Sequence, residues 1–432
     1  MSTPTKSTKL PPLDLSKWRK VPMMLIGAGG ALTVIGAVVS SLHDGGKQFA
    51  FSWLLAYMFC LSLCLGGLFL VLVHHLFDAG WSVPIRRFCE HIATLLFPTM
   101  AILFIPIALP QIGKWPGSAK LLYEWMSRPA DHAVHAKWPM FTVSAFYVIA
   151  AILFGVWWLL SNRLRYWSLR QDVTGDARPT YKMRFYSAWG IFAFAVTLTL
   201  AAIMWMKALQ HEWFSTMYGV YYFAGSVWLT LATVYVITAV LCRQGVLADV
   251  LHEHQFYFIG SLLFAFTVFY AYIHFAQYFI IWNGNMPEET FWYVIREQGT
   301  WWYVGLVIIF GHFFIPFLGL LRIDVKSVFP YMIGLAAWAW LMHYVDLSFN
   351  IMPVVHPEGF PLLWVWLDVG CLALMLGILA KVFLAKYLSA PPYPIKDPRL
   401  VEAMGFYHPV PTQISGGELD ETDDLRDAPR IQ

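Results

Sequence analysis

Charge is scarce in this chain. Only 13% of its 432 residues are Asp, Glu, Lys or Arg, against roughly 25% in soluble domains. With 59% hydrophobic residues and a mean hydropathy of +0.58, the composition excludes a soluble enzyme and implies a polytopic membrane protein. Cysteine is scarce too: Cys60, Cys64, Cys89, Cys242 and Cys371 are the five. None forms C-x-x-C or C-x-x-C-H, so the motifs that hold c-type haem, an iron–sulfur cluster or structural zinc are missing. Cys60 and Cys64 share a helix face and read as small core residues. No H-E-x-x-H or multi-histidine loop announces a metal centre. No basic stretch interleaved with aromatics supports nucleic-acid binding.

What the chain has is long apolar runs. A spanning helix needs about 20 such residues. Ten are predicted: 21–42, 50–73, 91–110, 140–160, 186–206, 220–242, 258–281, 301–320, 329–349 and 362–388. They divide the chain into a segment 1–20, an all-α membrane domain 21–388 and a tail 389–432. No small-residue cleavage site follows the first run, which reads as a retained helix. An even count puts both termini on one side. Of the 29 Lys and Arg residues, 22 fall on that side and 7 on the other, which predicts that both termini are cytoplasmic. The most basic stretch, "NRLRYWSLRQDVTGDARPTYKMR" (162–184), reads as a topology anchor.

The loops leave no room for a globular domain. The longest, 111–139, is predicted external and includes "KLLYEWMSRP", a candidate interfacial helix. Trp115, Trp138, Trp213, Trp282, Trp301 and Trp302 stand at predicted membrane edges, as an aromatic belt would. The tail is Pro-rich and then acidic ("GGELDETDD"); it is expected to be extended and solvated, a docking strap at most. Tyr57 and Tyr221, early in the second and sixth helices, hint at duplicated bundles.

Ionisable groups inside spans are rare and mark proton or ion routes. One set falls in the predicted outer half. His343, Asp346 and Asn350 share a face of the ninth helix. Asp368 lies on the tenth, and Thr267, Tyr270, His274 and Gln277 form a polar stripe on the seventh. A second set, "HHLFDAGWSVPIRRFCEH" (74–91), gathers His74, His75, Asp78, Glu90 and His91 at the cytoplasmic mouth, with Arg86 and Arg87 as counter-charges. His312, near the middle of the eighth helix, would stand between two half-channels. Histidine exchanges protons near neutral pH, and a partly desolvated carboxylate can join it. The plainer alternative is that each group makes a satisfied interhelical hydrogen bond. Haem b is a further alternative. Only His274, His312 and His343 are deep enough to ligate it, and no pair shows the regular spacing of a two-haem cytochrome b.

Four stretches in order carry a family resemblance: "FDAGWSVPIRRFCEHIA" (77–93), "HEWFSTMYGVYYFAGS" (211–226), "VDLSFNIMPVVHPEG" (345–359) and "YPIKDPRLVEAMGF" (393–406). The chain resembles, over about residues 50–410, the ActF family, the second NrfD/PsrC-like membrane subunit of alternative complex III. The resemblance implies ten helices, with helices two to five and six to nine as four-helix bundles and helices one and ten peripheral. It implies a cofactor-free subunit of a quinol:cytochrome c (or oxidase) oxidoreductase, acting as scaffold and proton route. Haem c and iron–sulfur clusters would reside in partners: multihaem and monohaem cytochromes c and an iron–sulfur subunit. The paralogue ActC would hold the quinol site, and ActD would be a small membrane neighbour. One position departs: Met204 stands before Trp205 where the family pattern has an acid, so a proton role for that acid does not carry over. Two other readings stand beside this one. One is a quinone-binding catalytic subunit. The other is a stand-alone proton-coupled transporter, for which Pro98, Pro106 and Pro316 offer the only broken-helix signal.

Overall fold

The computed structural model describes residues 18–112 and 122–404, which are helical throughout, without a strand among them. Trp115 and the acidic end of the tail lie outside the described residues. Nine helices among these residues are long and apolar enough to cross a membrane. They are α1 (Lys20–Asp44), α2 (Lys47–Leu76), α3 (Gly80–Leu109), α4 (Val143–Thr174), α5 (Arg178–Gln210), α6 (Tyr218–Arg243), α7 (Glu253–Gly284), α9 (Trp301–Leu320), and the last span, Leu362–Leu388. The label α8 belongs to a short amphipathic helix, Pro287–Arg296. The predicted ninth segment is also one helix, α10 (Phe329–Ile351), but its Trp338, Trp340, His343, Asp346 and Asn350 dilute its apolar character. The last span is α11, and a single turn, α12 (Leu400–Ala403), closes the described chain.

Lipid offers backbone groups no hydrogen bonds, so each span must satisfy its own as a helix. Contacts sort the connections into two sets. On one side lie the α2–α3, α4–α5 and α6–α7 connections and residues 389–404, joined by Arg87–Asp172, Arg399–Asp78 and Gln255–Ala403 contacts. This is called the tail side. On the far side Lys137 donates to the His211 carbonyl, Trp213 to that of Glu289 and Arg296 to those of Phe349 and Asn350. The helix α10 runs between them, from Lys326, whose carbonyl accepts from Tyr235, to the Arg296 contacts. Its 23 residues reach about 34 Å.

The centre is the pair α2 and α6. Of the most apolar stretch of each, 83% and 78% is buried, against 22% for α1. They approach closely at Gly66, where an added Cβ would stand 2.6 Å from the Ser226 carbonyl oxygen. Tyr222 donates to the Met58 carbonyl and Thr230 to that of Leu63 across the same seam. Small residues at helix crossings are how spans pack without a hydrophobic drive between them. The α1 and α11 pair uses the same device at the periphery: a Cβ on Gly29 would stand 2.4 Å from the Leu374 amide nitrogen.

Several expectations change. The third span is not a regular helix over 91–110. It starts at Gly80 and is interrupted after Leu96, where Phe97 takes an extended conformation ahead of Pro98, so most of 74–91 is helix rather than loop. The basic stretch 162–184 is likewise mostly helical extension of α4 and α5, leaving only 175–177 between them. Of the belt tryptophans, Trp138, Trp282 and Trp302 are exposed, but Trp213 and Trp301 are fully buried. Trp213 stacks on Trp292 at 4.5 Å, and Trp301 donates to the His356 carbonyl. Residues 389–404 pack onto the helices instead of standing free: Asp397, Arg399 and Ala403 are all buried.

Because the Ser226 backbone carbonyl stands beside the Thr230 side chain in front of Gly66, Gly66→Ala must push α2 and α6 apart. The expected cost is about 1–3 kcal/mol, read as a lowered unfolding temperature in detergent. Gly155→Ala, which meets open space, should leave that temperature within a degree or so of the parent.

Candidate functional site: a buried carboxylate with tyrosines and histidines

Asp346 is 2% exposed, in the half of α10 nearer the far side. Its Oδ1 accepts from two tyrosine hydroxyls on different helices, Tyr221 of α6 and Tyr270 of α7, the latter at 2.7 Å. The two hydroxyls are 3.0 Å apart. Asn350, one turn on, donates to the Tyr221 hydroxyl (3.1 Å) and to the Asp346 carbonyl, and accepts from Tyr218. The α10 end is fixed by Arg296 on α8, 1% exposed, which donates to the Phe349 and Asn350 carbonyls at 2.8 Å. A cation at these terminal carbonyls complements the helix dipole.

Two histidines complete the group. The His343 Nε2 lies 2.9 Å from the Ser62 hydroxyl of α2. Ser62 spends its own proton on the Phe59 carbonyl at 2.7 Å, so His343 donates from Nε2 and its Nδ1 carries a lone pair. That Nδ1 has no hydrogen-bond partner. His312 sits in a π-helical stretch, Ile308–Phe314, of α9; such bulges recur at functional sites. Its ring is stacked between Trp228 (4.0 Å) and Tyr270 (3.7 Å), and neither ring nitrogen has a partner. One ligand atom each from His312, His343 and Asp346 falls within 4.8 Å of the others.

The predicted residues therefore separate. Tyr270, His343 and Asp346 meet as expected. His312 joins them instead of standing between two half-channels. His274 lies at the edge, with ring centroids 5.6 Å from Tyr221 and 5.9 Å from Tyr270. It lines a cavity of about 450 Å³ between α7, α8 and α9 whose other walls include Tyr270, Phe275, Tyr293, Phe313 and Phe349. Gln277 binds Ser215 and Tyr293, and Thr267 accepts from Trp228; neither reaches Asp346. Asp368 belongs to another chain of contacts, accepting from Tyr344 at 2.9 Å and lying against Ser52. From Ser52 this chain runs through Gln48 to His356 at the far side.

On the tail side, Arg86 is the hub. It contacts Glu90 (3.1 Å), His74 Nε2 (2.9 Å) and Asp397 (2.5 Å). Arg87 bridges Glu90 and Asp172, and Asp78 pairs with Arg184 and Arg399. His75 and His91 are buried beside this network without hydrogen-bond partners. Between His74 and Ser62, α2 presents only apolar residues and Cys64, about 18 Å of helix. Two separate networks result, one per side.

Trp228 and Tyr270 cover the two faces of the His312 ring and leave both of its nitrogens without a hydrogen-bond partner. Sequence reasoning missed Tyr218, Tyr221, Ser62, Arg296, Asp397 and Arg399 as site residues. A usable signal existed for the tyrosines: a buried carboxylate requires donors, and Tyr218 and Tyr221 share a face of α6. No family model matches this chain, and no curated protein matches it.

Burial alone would raise Asp397, but Arg86 and Arg399 outweigh it and hold the carboxyl well below its ordinary range. A depressed carboxylate contributes stability that is present above its unfolded value, about 3.9, and is lost only as pH falls through the lower folded value. Deuterium-exchange protection of 389–404 should therefore be unchanged between pH 8 and pH 5. Asp397→Asn, which removes one partner of a buried ion pair at a cost of about 3 kcal/mol, should lose that protection at both pH values.

Proposed function

We propose that this chain is a proton-conducting and scaffolding membrane subunit of a respiratory quinol:cytochrome c (or oxidase) oxidoreductase, of the ActF type. The observation that carries the proton role is Asp346. An ionised carboxylate at the middle of a span costs at least about 2.5–3.5 kcal/mol by insertion scales. Here it is held by two tyrosines, with two unprotonated imidazole nitrogens close by. Tyrosine hydroxyls can pass a proton while keeping their hydrogen bonds, and the imidazoles can accept one. The family rests on the four ordered motifs. With α10 counted, the chain spans ten times, as bundles α2–α5 and α6, α7, α9, α10 with α1 and α11 outside. Both termini and the tail side are cytoplasmic. Haems and iron–sulfur clusters belong to its partners.

A second reading, a quinone-binding subunit, is favoured by the cavity beside His274 and Tyr270. Its volume and aromatic walls suit an amphipathic ring with an apolar tail. For a stand-alone transporter the geometry offers the interruption of α3 at Pro98 and the π-helical stretch of α9 ahead of Pro316.

Reporter fusions within 175–177 and at the C-terminus should both report cytoplasm; a periplasmic signal from either overturns the orientation. Purified from native membranes, the chain should bring haem c with it, whereas a transporter would come out alone. In that complex Asp346→Asn should leave haem content normal and slow the proton movement coupled to quinol oxidation by at least about tenfold. Asp346→Glu should keep part of it. Unchanged proton movement in Asp346→Asn would sink the relay.

A further inference from the structure

We infer that His312, His343 and Asp346 form a buried site for a divalent transition-metal ion of the zinc class, an assignment independent of the proton reading. The sequence shows no metal motif because the three come from two helices with no local pattern. His343 and Asp346 are adjacent along one face of α10, and α9 brings His312 to them.

The three groups converge, and each can turn a lone pair toward the others. His343 is fixed as the Nε2–H tautomer by Ser62, leaving Nδ1 with a lone pair and no partner. His312 is 0% exposed and has both nitrogens unpartnered, one of which is a lone pair in the neutral ring. At Asp346, both tyrosines donate to Oδ1 and neither to Oδ2. Two imidazoles and one carboxylate are a donor set that zinc, iron(II) and manganese accept, and neutral imidazole is the form that ligates.

The distances allow closure. Four-coordinate ligands at about 2.1 Å lie roughly 3.4 Å from one another. Atoms within 4.8 Å of each other reach that arrangement by inward movements of less than about 1 Å each. The surroundings are already those of a metal centre. A histidine ligand usually donates its other N–H to an oriented acceptor, and a carboxylate ligand is itself hydrogen-bonded. Ser62, held by the Phe59 carbonyl, does the first, and Tyr221 and Tyr270 do the second. The stacking of His312 between Trp228 and Tyr270 fixes its ring plane. The cavity lined by Tyr270, His274 and Ile308 comes up to Tyr270, whose hydroxyl donates to Asp346.

The probe is Co²⁺ added to the full chain in detergent, with visible absorption as the readout and Zn²⁺ as competitor. The inference expects one Co²⁺ per chain with the intense bands of a four-coordinate nitrogen–oxygen site, displaced by Zn²⁺. His312→Phe keeps the aromatic stack and His343→Gln keeps a polar contact to Ser62; each should weaken Co²⁺ binding by at least about tenfold. A second group, Asp131, His211 and Glu212, could also take the ion, so His211→Ala is measured alongside and should leave the bands intact. The inference is overturned if both buried variants bind Co²⁺ like the parent, or if His211→Ala alone removes the bands. Neither result touches the Asp346→Asn proton measurement, which is made without added metal.

Discussion

The hydrogen bonds that Tyr221 and Tyr270 donate to Asp346 are the interaction on which the far half of this protein depends. Water cannot reach a carboxylate at 2% exposure, and an unpaired charge there would carry the full desolvation penalty. The donors must come from other helices. Tyr221 brings α6 and Tyr270 brings α7, while Asn350 and Arg296 draw in α8. His343 ties α10 to α2 through Ser62. The carboxylate thus sets the rotation of α10 about its own axis, and with it the faces that Tyr344 and Trp340 present to Asp368 and Thr233.

Much of the fold was legible in the sequence because lipid imposes a strong filter. Every span needs a run of apolar residues, and all ten predicted segments contain helix. The breaks were not legible. Nothing in 74–91 separated a charged loop from a buried helix start, because the partners that complete the burial of Arg86 and Arg87 include Ser168, Asp172 and Asp397, 82 to 311 positions away. The site was legible at the level of residue type. Asp346, His343 and Tyr270 could be chosen because polar groups on apolar helices are costly. Their grouping was not, since helical spacing says which residues share a face and nothing about which helix that face meets. Asp368 shows the limit: at a predicted depth like that of Asp346, it answers to Tyr344 on the other side of α10.

The tail side solves a different problem. Four cations, Arg86, Arg87, Arg184 and Arg399, meet four anions, Asp78, Glu90, Asp172 and Asp397. Two of these eight charges, Asp397 and Arg399, arrive on the segment after α11. Without them Arg86 would keep only Glu90 as a charged partner. Residues 389–404 are accordingly part of the membrane domain's charge balance, which explains why a Pro-rich segment packs down: its backbone orders around ion pairs, with Ile395 donating to Asp172 and Lys396 to the Val173 carbonyl.

The two networks, read together, constrain any proton-conducting role. Each ends against the apolar middle of α2, where 63–73 offer no ionisable side chain but Cys64. A proton crossing by conduction alone would have to traverse about 18 Å of that helix without a carrier. On the proposed reading, proton movement would be confined to the far half, around Asp346, with the tail-side ion pairs holding the helices in register. The close approach of α2 and α6 at Gly66 lies inside this apolar stretch. The same glycine that lets the central helices pack thus lies where the two networks fail to meet.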